Sequence, residues 1–221
     1  MEAYTGNWVL QGISWPIRKA INLTTPHLEI TIHSDPTSGA TSSTTIYTLG
    51  GGLAGATEIR VFDWSEQPHK DYIFGVCRVR SRVVYALDSR LGSSVQEGIV
   101  ERVSGGYPDF EMQTKIKDGI DRDKVWMFLR GEDAGGETRS VCAVSVGLGE
   151  KDGEEGSSSG VRSASRATWV QTFLSSLTEG WTLEQIWGFE EIDGVLHQVR
   201  RAVAANAKGQ YALARQVFKR D

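Results

Sequence analysis

The chain has 221 residues, a formal net charge of −4 at pH 7 and only two cysteines, Cys77 and Cys142. This length can bury one hydrophobic core and predicts one domain over residues 1–221, while the acidic balance argues against a nucleic-acid-binding surface. Two cysteines are too few for a disulfide scaffold, and neither a secretory signal nor a long apolar run is visible, so we expect a cytoplasmic protein without a membrane span.

Strand patterning dominates the chain. A short helix is predicted over residues 14–21, because Ser14 can cap the first turn and Pro16 fits within it. Alternating apolar and polar residues then predict strands over residues 27–33, 41–49, 57–64, 71–87, 109–117, 138–146, 167–174, 182–191, 195–204 and 210–219. Residues 121–129 fit either a helix or a strand. So many short strands predict an all-β sandwich or barrel.

Turn signals separate the last strands, at Asp193-Gly194 and at residues 207–209. Residues 149–165 contain almost no large apolar side chain. We expect a flexible loop there, not a domain linker, because strand patterning resumes on both sides.

Residues that could bind a metal are few. His27, Glu29 and His33 share one face of a predicted strand, but the two histidines lie too far apart along it to bind one ion, which favours a solvated polar face. Both cysteines are expected to be small core residues. No phosphate loop, dinucleotide fingerprint or nucleophile elbow is present, so we expect neither a metal nor another cofactor.

The two ends of the chain resemble a known family. Residues 6–8, Gly-Asn-Trp, resemble the signature that opens the barrels of the calycin superfamily, the lipocalins and the intracellular fatty-acid- and retinoid-binding proteins. The last predicted strand, with Gln216 and Phe218, resembles that of the intracellular retinol-binding proteins, in which a Gln and a Phe point into the cavity. Residues 71–75 and 180–190 make the chain most similar to the lipocalin-like proteins of filamentous fungi associated with secondary metabolism.

This resemblance implies a single antiparallel calycin-like β-barrel with one or two short helices, a long mid-chain insertion over residues 90–165 and a cavity for a hydrophobic small molecule. Some lipocalin-like fungal proteins act as cyclases or pericyclases. The resemblance therefore also implies a possible cyclase or isomerase activity.

One strand face is a candidate ligand wall. The odd-numbered residues Trp181, Leu183, Gln185, Trp187 and Phe189 place four large apolar groups around one amide. This pattern is typical of a ligand wall in which Gln185 orients the guest, and it is equally typical of a barrel core.

The last strand carries a similar face, on which Gln216 and Phe218 alternate with Ala212 and Ala214. The small alanines leave room beside the larger groups, which favours the ligand-wall interpretation.

A polar segment over residues 63–72 precedes the long predicted strand. Within it, His69 is flanked by Glu66 and Asp71 and could shuttle protons at a barrel mouth, with Tyr72 as a further acid or base. An ordinary charged hairpin explains the same residues.

Two adjacent arginines lie on the predicted strand over residues 195–204. Arg200 and Arg201 are adjacent, so they point to opposite faces of a strand. Arg201 shares its face with Val199 and Val203 and is therefore the residue predicted to face inward, where it would bind an anion or polarise a carbonyl.

Three further arginines, Arg78, Arg80 and Arg82, share one strand face. We expect that face to be solvated, because three buried guanidiniums without partners would be very unfavourable.

Taken with the resemblance, these residues lead us to expect a cofactor-independent cyclase or isomerase acting on a hydrophobic polyketide or terpenoid. It would position its substrate in an aromatic cavity and polarise it through Gln185, Arg201 or Gln216. The alternatives are a non-catalytic carrier of a lipophilic ligand and a barrel filled by its own side chains.

Overall fold

The computed structural model describes residues 4–12, 27–49, 53–71, 75–85, 108–117, 119–132 and 168–221. Within these ranges there is one helix, α1 over Gly119–Arg130, and ten strands. The strands are β1 Gly6–Gly12, β2 His27–Ser34, β3 Thr41–Leu49, β4 Leu53–Val61, β5 Gln67–Asp71, β6 Gly75–Tyr85, β7 Thr168–Ser176, β8 Thr182–Ile192, β9 Val195–Ala205 and β10 Tyr211–Arg220. The predicted all-β class is confirmed.

All ten strands form one antiparallel sheet in the order β4-β3-β2-β1-β10-β9-β8-β7-β6-β5. Because β1 lies between β2 and β10, the two ends of the chain are adjacent in the sheet, and Trp8 is directly opposite Arg220. Every other neighbouring pair in the sheet is consecutive in sequence.

The two edges of the sheet approach each other. Asp63, which follows β4, forms an isolated bridge with Arg82 of β6, and the Trp64 N–H donates a 2.9 Å hydrogen bond to the Ser81 carbonyl. The described part of the chain shows no continuous ladder between β4 and β5, so the observed architecture is a curled sheet, and the calycin-like barrel stays a prediction.

The register divides the sheet into two faces. On one, here called the inner face, Trp187 is aligned with Arg200 and Gln216 across β8, β9 and β10. On the other, the outer face, Ile186 and Arg201 are aligned. Along each strand the faces alternate with period two, so adjacent residues belong to different environments.

Helix α1 covers the outer face of β8 and β9. Val125 and Leu129, one turn apart, are its buried residues and belong to a core cluster with Trp169, Ile186 and Val203. The helix ends where Gly131 takes a left-handed conformation with φ of 83°. Residues 121–129, which fitted either a helix or a strand, are therefore helical.

The predicted Asp193-Gly194 turn is confirmed. Ile192 pairs with Val195, and both turn residues have positive φ, 51° for Asp193 and 76° for Gly194. A two-residue loop with positive φ at both positions matches the right-handed twist of the strands on either side.

Two strand predictions are wrong, one because the strand begins later than predicted and the other because the segment is not a strand. The strand predicted over 71–87 is found as β6, but β6 begins only at Gly75, because Asp71 ends β5 and pairs with Gly75 in a hairpin. Residues 109–117 form no strand. Their alternating burial, with Phe110, Met112 and Thr114 inside, arises because the segment packs on the outer face, where a side chain and not a neighbouring strand binds its amides.

Several predicted features lie outside the described residues. These are the helix over 14–21, the strand over 138–146, the loop over 149–165, Tyr72 and Cys142.

Candidate ligand site on the inner face

Arg200 lies at the centre of the inner face. Arg200 is only 3% exposed, and its guanidinium carbon lies 4.0 Å from the ring centroid of Trp187 and 5.1 Å from that of Phe218. The strand register creates this arrangement, since Trp187 is directly opposite Arg200 and Phe218 follows Gln216 by two residues on the adjacent strand. Cation–π contacts of this kind are strongest where water is excluded.

The guanidinium of Arg200 makes few hydrogen bonds. Its Nη1 donates to the Tyr47 hydroxyl at 3.3 Å. Its Nε and Nη2 are buried and have no hydrogen-bond partner among the described residues. A buried cation whose donors are unpaired is unfavourable, which makes Arg200 an attractive anchor for an anion.

Tyr47 connects Arg200 to an ion pair on β4. The Tyr47 hydroxyl donates to Glu58 Oε2 at 3.1 Å, and Arg60 Nη2 donates to the same oxygen at 2.9 Å. Desolvation, followed by the nearby Glu58 carboxylate, raises the pKa of Tyr47 to about 12. The phenol therefore stays protonated across the physiological range and keeps donating its one proton to Glu58.

The predicted glutamines are brought together beside this centre. Gln185 Nε2 donates to Gln216 Oε1 at 3.4 Å, and Trp187 Nε1 donates to Gln185 Oε1 at 2.5 Å. Gln185 faces Ala202 of β9, which in turn faces Ala214 of β10, so two small residues lie beside the amide pair.

The remaining residues of the predicted wall lie on either side of the glutamines. Trp187, Phe189 and Phe218 are buried in the core cluster, where the Phe189 ring lies 4.7 Å from that of Tyr4. At the other end, Trp181 and Leu183 pack against the residues of a separate small cluster. The face thus has apolar ends and a polar middle.

That small cluster consists of Cys77, Val79 and Leu174, and Cys77 is completely buried. The prediction that Cys77 is a small core residue is confirmed.

Arg201 lies on the opposite face from Gln185, so the expectation that it faces the same interior is wrong. Its Nε donates to Glu190 Oε1 at 2.8 Å, and its Nη1 donates to the Phe128 carbonyl of α1 at 3.4 Å. The apolar neighbours Val199 and Val203 correctly indicated burial, but α1 is what buries this face. Arg200, the adjacent residue, is the inward arginine.

His69 lies on β5 opposite Cys77, within a strand and not in a turn. Its Nε2 is 3.9 Å from Glu58 Oε1 of β4, across the gap between the sheet edges. Glu66, the partner expected from sequence, instead bonds Arg78 and Arg80, and the hydrogen bond from Arg80 is the main cause of its lowered pKa. Tyr72, the other predicted acid or base, is not among the described residues.

The arginines of β6 lie on the outer face, where Arg78 and Arg80 are solvated as expected and Arg82 is half-buried. Arg78 and Arg80 have side chains 53% and 41% exposed. Arg82 stacks 4.5 Å from the Trp64 ring centroid and donates to Gln171 Oε1 at 2.7 Å.

On β2, His27, Glu29 and His33 are exposed, as expected for a solvated polar face. In the described ranges no group of three or more His, Cys, Asp or Glu residues is placed to hold a metal ion.

Sequence reasoning missed Tyr47, Glu58, Arg60, Gln198 and Arg200. Each is a polar residue within a strand, and alternation alone does not show which face of a strand turns inward when both faces of the sheet are covered. The signal that could have identified Arg200 is its register opposite Trp187, which requires strand pairing to be known.

No protein-family model, curated protein or solved structure matches the chain. No helix in the described ranges is long and apolar enough to cross a membrane. The likeness to calycins therefore remains a prediction made from the sequence.

Proposed function

We propose that this protein binds a hydrophobic small molecule carrying an anionic group on the inner face of its sheet, with Arg200 as the anchor. The observation that carries this proposal is the buried guanidinium of Arg200, which has no hydrogen-bond partner for Nε or Nη2 in the described ranges. A carboxylate, enolate or phenolate of a ligand would supply both hydrogen bonds and charge.

The surroundings of Arg200 support a lipophilic ligand. Trp187 and Phe218 provide aromatic surface beside the guanidinium, while two small residues, Ala202 and Ala214, lie next to Gln185. Apolar walls with a few convergent polar groups are typical of small-molecule sites.

Anthracene-2-carboxylate, a rigid apolar anion, is a suitable probe. We expect it to bind the wild-type protein, and we expect Arg200→Met to weaken binding by roughly tenfold or more, since a hydrogen bond between charged groups contributes that much. Arg78→Met is the matched control, because Arg78 lies exposed on the outer face. Equal affinities of wild type and Arg200→Met, measured by calorimetry, would contradict the proposal.

A second candidate function is a cofactor-independent cyclase or isomerase acting on a hydrophobic polyketide or terpenoid. The observation that favours it is the contact between the protonated Tyr47 hydroxyl and Arg200. That contact holds the guanidinium in place, so that Arg200 Nε and Nη2, unpaired in the described ranges, would stabilise the enolate oxygen that forms when water removes an α-proton from a bound ketone, and Gln185 would hold the substrate in position.

Exchange of the α-hydrogens of β-tetralone with D2O, followed by NMR, tests this candidate. An enzyme of this kind would accelerate exchange, and Tyr47→Phe would slow it while leaving the affinity for anthracene-2-carboxylate within about twofold. An exchange rate that is the same with and without protein would favour the carrier.

A further inference from the structure

A second polar cluster lies on the inner face of β3 and β4, separate from the predicted wall. The register places Ser43 opposite Arg60 and Thr45 opposite Glu58, so four polar side chains form a compact group, here called the β3–β4 cluster. All four residues are buried, and Ser43 and Thr45 are completely so.

The hydrogen-bonding capacity of this cluster is only partly used. Arg60 and Glu58 pair with each other, yet Arg60 Nε, Ser43 Oγ and Thr45 Oγ1 have no partner among the residues that the structure describes. Buried polar atoms in folded proteins almost always have a partner, and water or a ligand can supply it. Buried hydroxyls at mid-strand positions, where Ala or Val would pack as well, therefore point to a polar group of a ligand.

Hydrogen bonds connect the β3–β4 cluster to Arg200. Arg200 donates to Tyr47, Tyr47 donates to Glu58, and Arg60 donates to the same Glu58 oxygen. One ligand bound on the inner face could therefore contact Arg200 and the β3–β4 cluster at the same time.

We infer that the ligand is oxygenated at a second position: besides the anionic group at Arg200, it carries a carbonyl or hydroxyl directed at Ser43, Thr45 and Arg60. This inference rests on the proposed binding function and narrows its ligand class. An anion with a purely hydrocarbon body, such as a fatty acid, would leave these three atoms unpaired and is a poorer guest.

A matched pair of probes tests the ligand class. Anthraquinone-2-carboxylate and anthracene-2-carboxylate have the same ring skeleton and anionic group, and only the first carries ring oxygens. We expect calorimetry to give roughly tenfold tighter binding of the quinone, the difference expected when one buried donor gains a partner.

Substitutions in the β3–β4 cluster test which side chains cause the preference for the quinone. Ser43→Ala combined with Thr45→Val should remove most of the preference for the quinone, since only Arg60 still faces the ring oxygens, and should leave the affinity for anthracene-2-carboxylate within about twofold. Ser42→Ala combined with Thr44→Val is the matched control on the opposite side of the same strand, and it should keep the preference. If the double variant fails to fold, Ser43→Ala and Thr45→Val are measured singly.

The outcomes separate this inference from the proposed function. Equal affinity for the two acids, with both weakened by Arg200→Met, overturns the inference and leaves the proposed function standing. A preference for the quinone that survives loss of the Ser43 and Thr45 hydroxyls overturns the assignment to the β3–β4 cluster. Binding of neither acid to the wild-type protein counts against both.

Discussion

Replacing Arg201 by Met tests the assignment of the two adjacent arginines of β9 to opposite faces. Arg201 forms a 2.8 Å ion pair with Glu190, and the two side chains are only 9% and 4% exposed. Removing one member of a buried ion pair typically costs about 3–5 kcal/mol, because the other charge is left without its partner.

Arg215 reduces this cost. It also bonds Glu190, and its side chain is 37% exposed, so the Glu190 carboxylate would retain one cation after the substitution. We therefore expect Arg201→Met to lower the free energy of unfolding by about 2–3 kcal/mol, which includes loss of the weaker bond to the Phe128 carbonyl. For a domain of this size that corresponds to a fall in Tm of about 5–10 °C.

Substitution of the adjacent residue, Arg200, should have the opposite effects, with a small change in stability and a large loss of affinity. Arg200→Met removes a buried cation that lacks an ion-pair partner in the described ranges, so we expect the free energy of unfolding to change by only about 1 kcal/mol, while binding of anthracene-2-carboxylate weakens by roughly tenfold or more. Urea denaturation followed by circular dichroism gives the stabilities, and calorimetry gives the affinities. Loss of binding in Arg201→Met with unchanged stability would refute the assignment of faces.

Two further predictions concern the outer face. Desolvation raises the pKa of Glu184 above its ordinary value of 4.5. The folded state therefore loses stability relative to the unfolded state as pH rises from about that value through the raised pKa. Urea denaturation between acidic and neutral pH should show wild type losing stability relative to Glu184→Gln, and a pH-independent difference would contradict this. Gly188→Ala should destabilise by roughly 2–3 kcal/mol, because a Cβ there would lie 2.6 Å from the Trp169 ring, whereas Gly119→Ala, with nothing within 4 Å, should not.

Strand alternation predicted the sheet well where one face is solvated. On β2, Leu28 and Ile30 are buried while His27 and Glu29 are exposed, as the pattern requires. The same rule failed for residues 109–117, because alternating burial reports only that one side of an extended segment packs against the protein. It does not report whether the backbone hydrogen bonds go to a strand or, as here, to the carboxylate of Glu184.

The candidate site was predictable only in part, for a related reason. The pattern from Trp181 to Phe189 correctly predicted that these odd-numbered residues, including Gln185, share one face of β8. Choosing between Arg200 and Arg201 required knowing that α1 covers the outer face of β9, since both arginines are buried. Likewise, the proximity of His69 to Glu58 depends on the curl of the sheet, which brings together strands at its opposite edges.

The two faces of the sheet differ in how completely their buried polar groups are paired. On the outer face, Glu184 accepts hydrogen bonds from the amides of Gln113 and Thr114 and from Gln171, and Glu190 binds Arg201 and Arg215. A network of this kind fixes the segment over 108–117 and helix α1 to the sheet and uses most of its polar groups within the protein, although the Thr114 hydroxyl has no hydrogen-bond partner in the described ranges.

On the inner face, buried donors or acceptors of Arg200, Gln198 and the β3–β4 cluster have no partner in the described ranges. These residues belong to the same sheet as Glu184 and Glu190 of the outer face. Burial alone therefore does not distinguish a structural polar group from a binding one in this protein. The clustering of unpaired groups does, because several adjacent unpaired groups gain the most from one ligand that can hydrogen-bond to them. By that criterion the ligand should contact the inner face at both Arg200 and the β3–β4 cluster, and substitutions in the outer network should change stability without changing ligand preference.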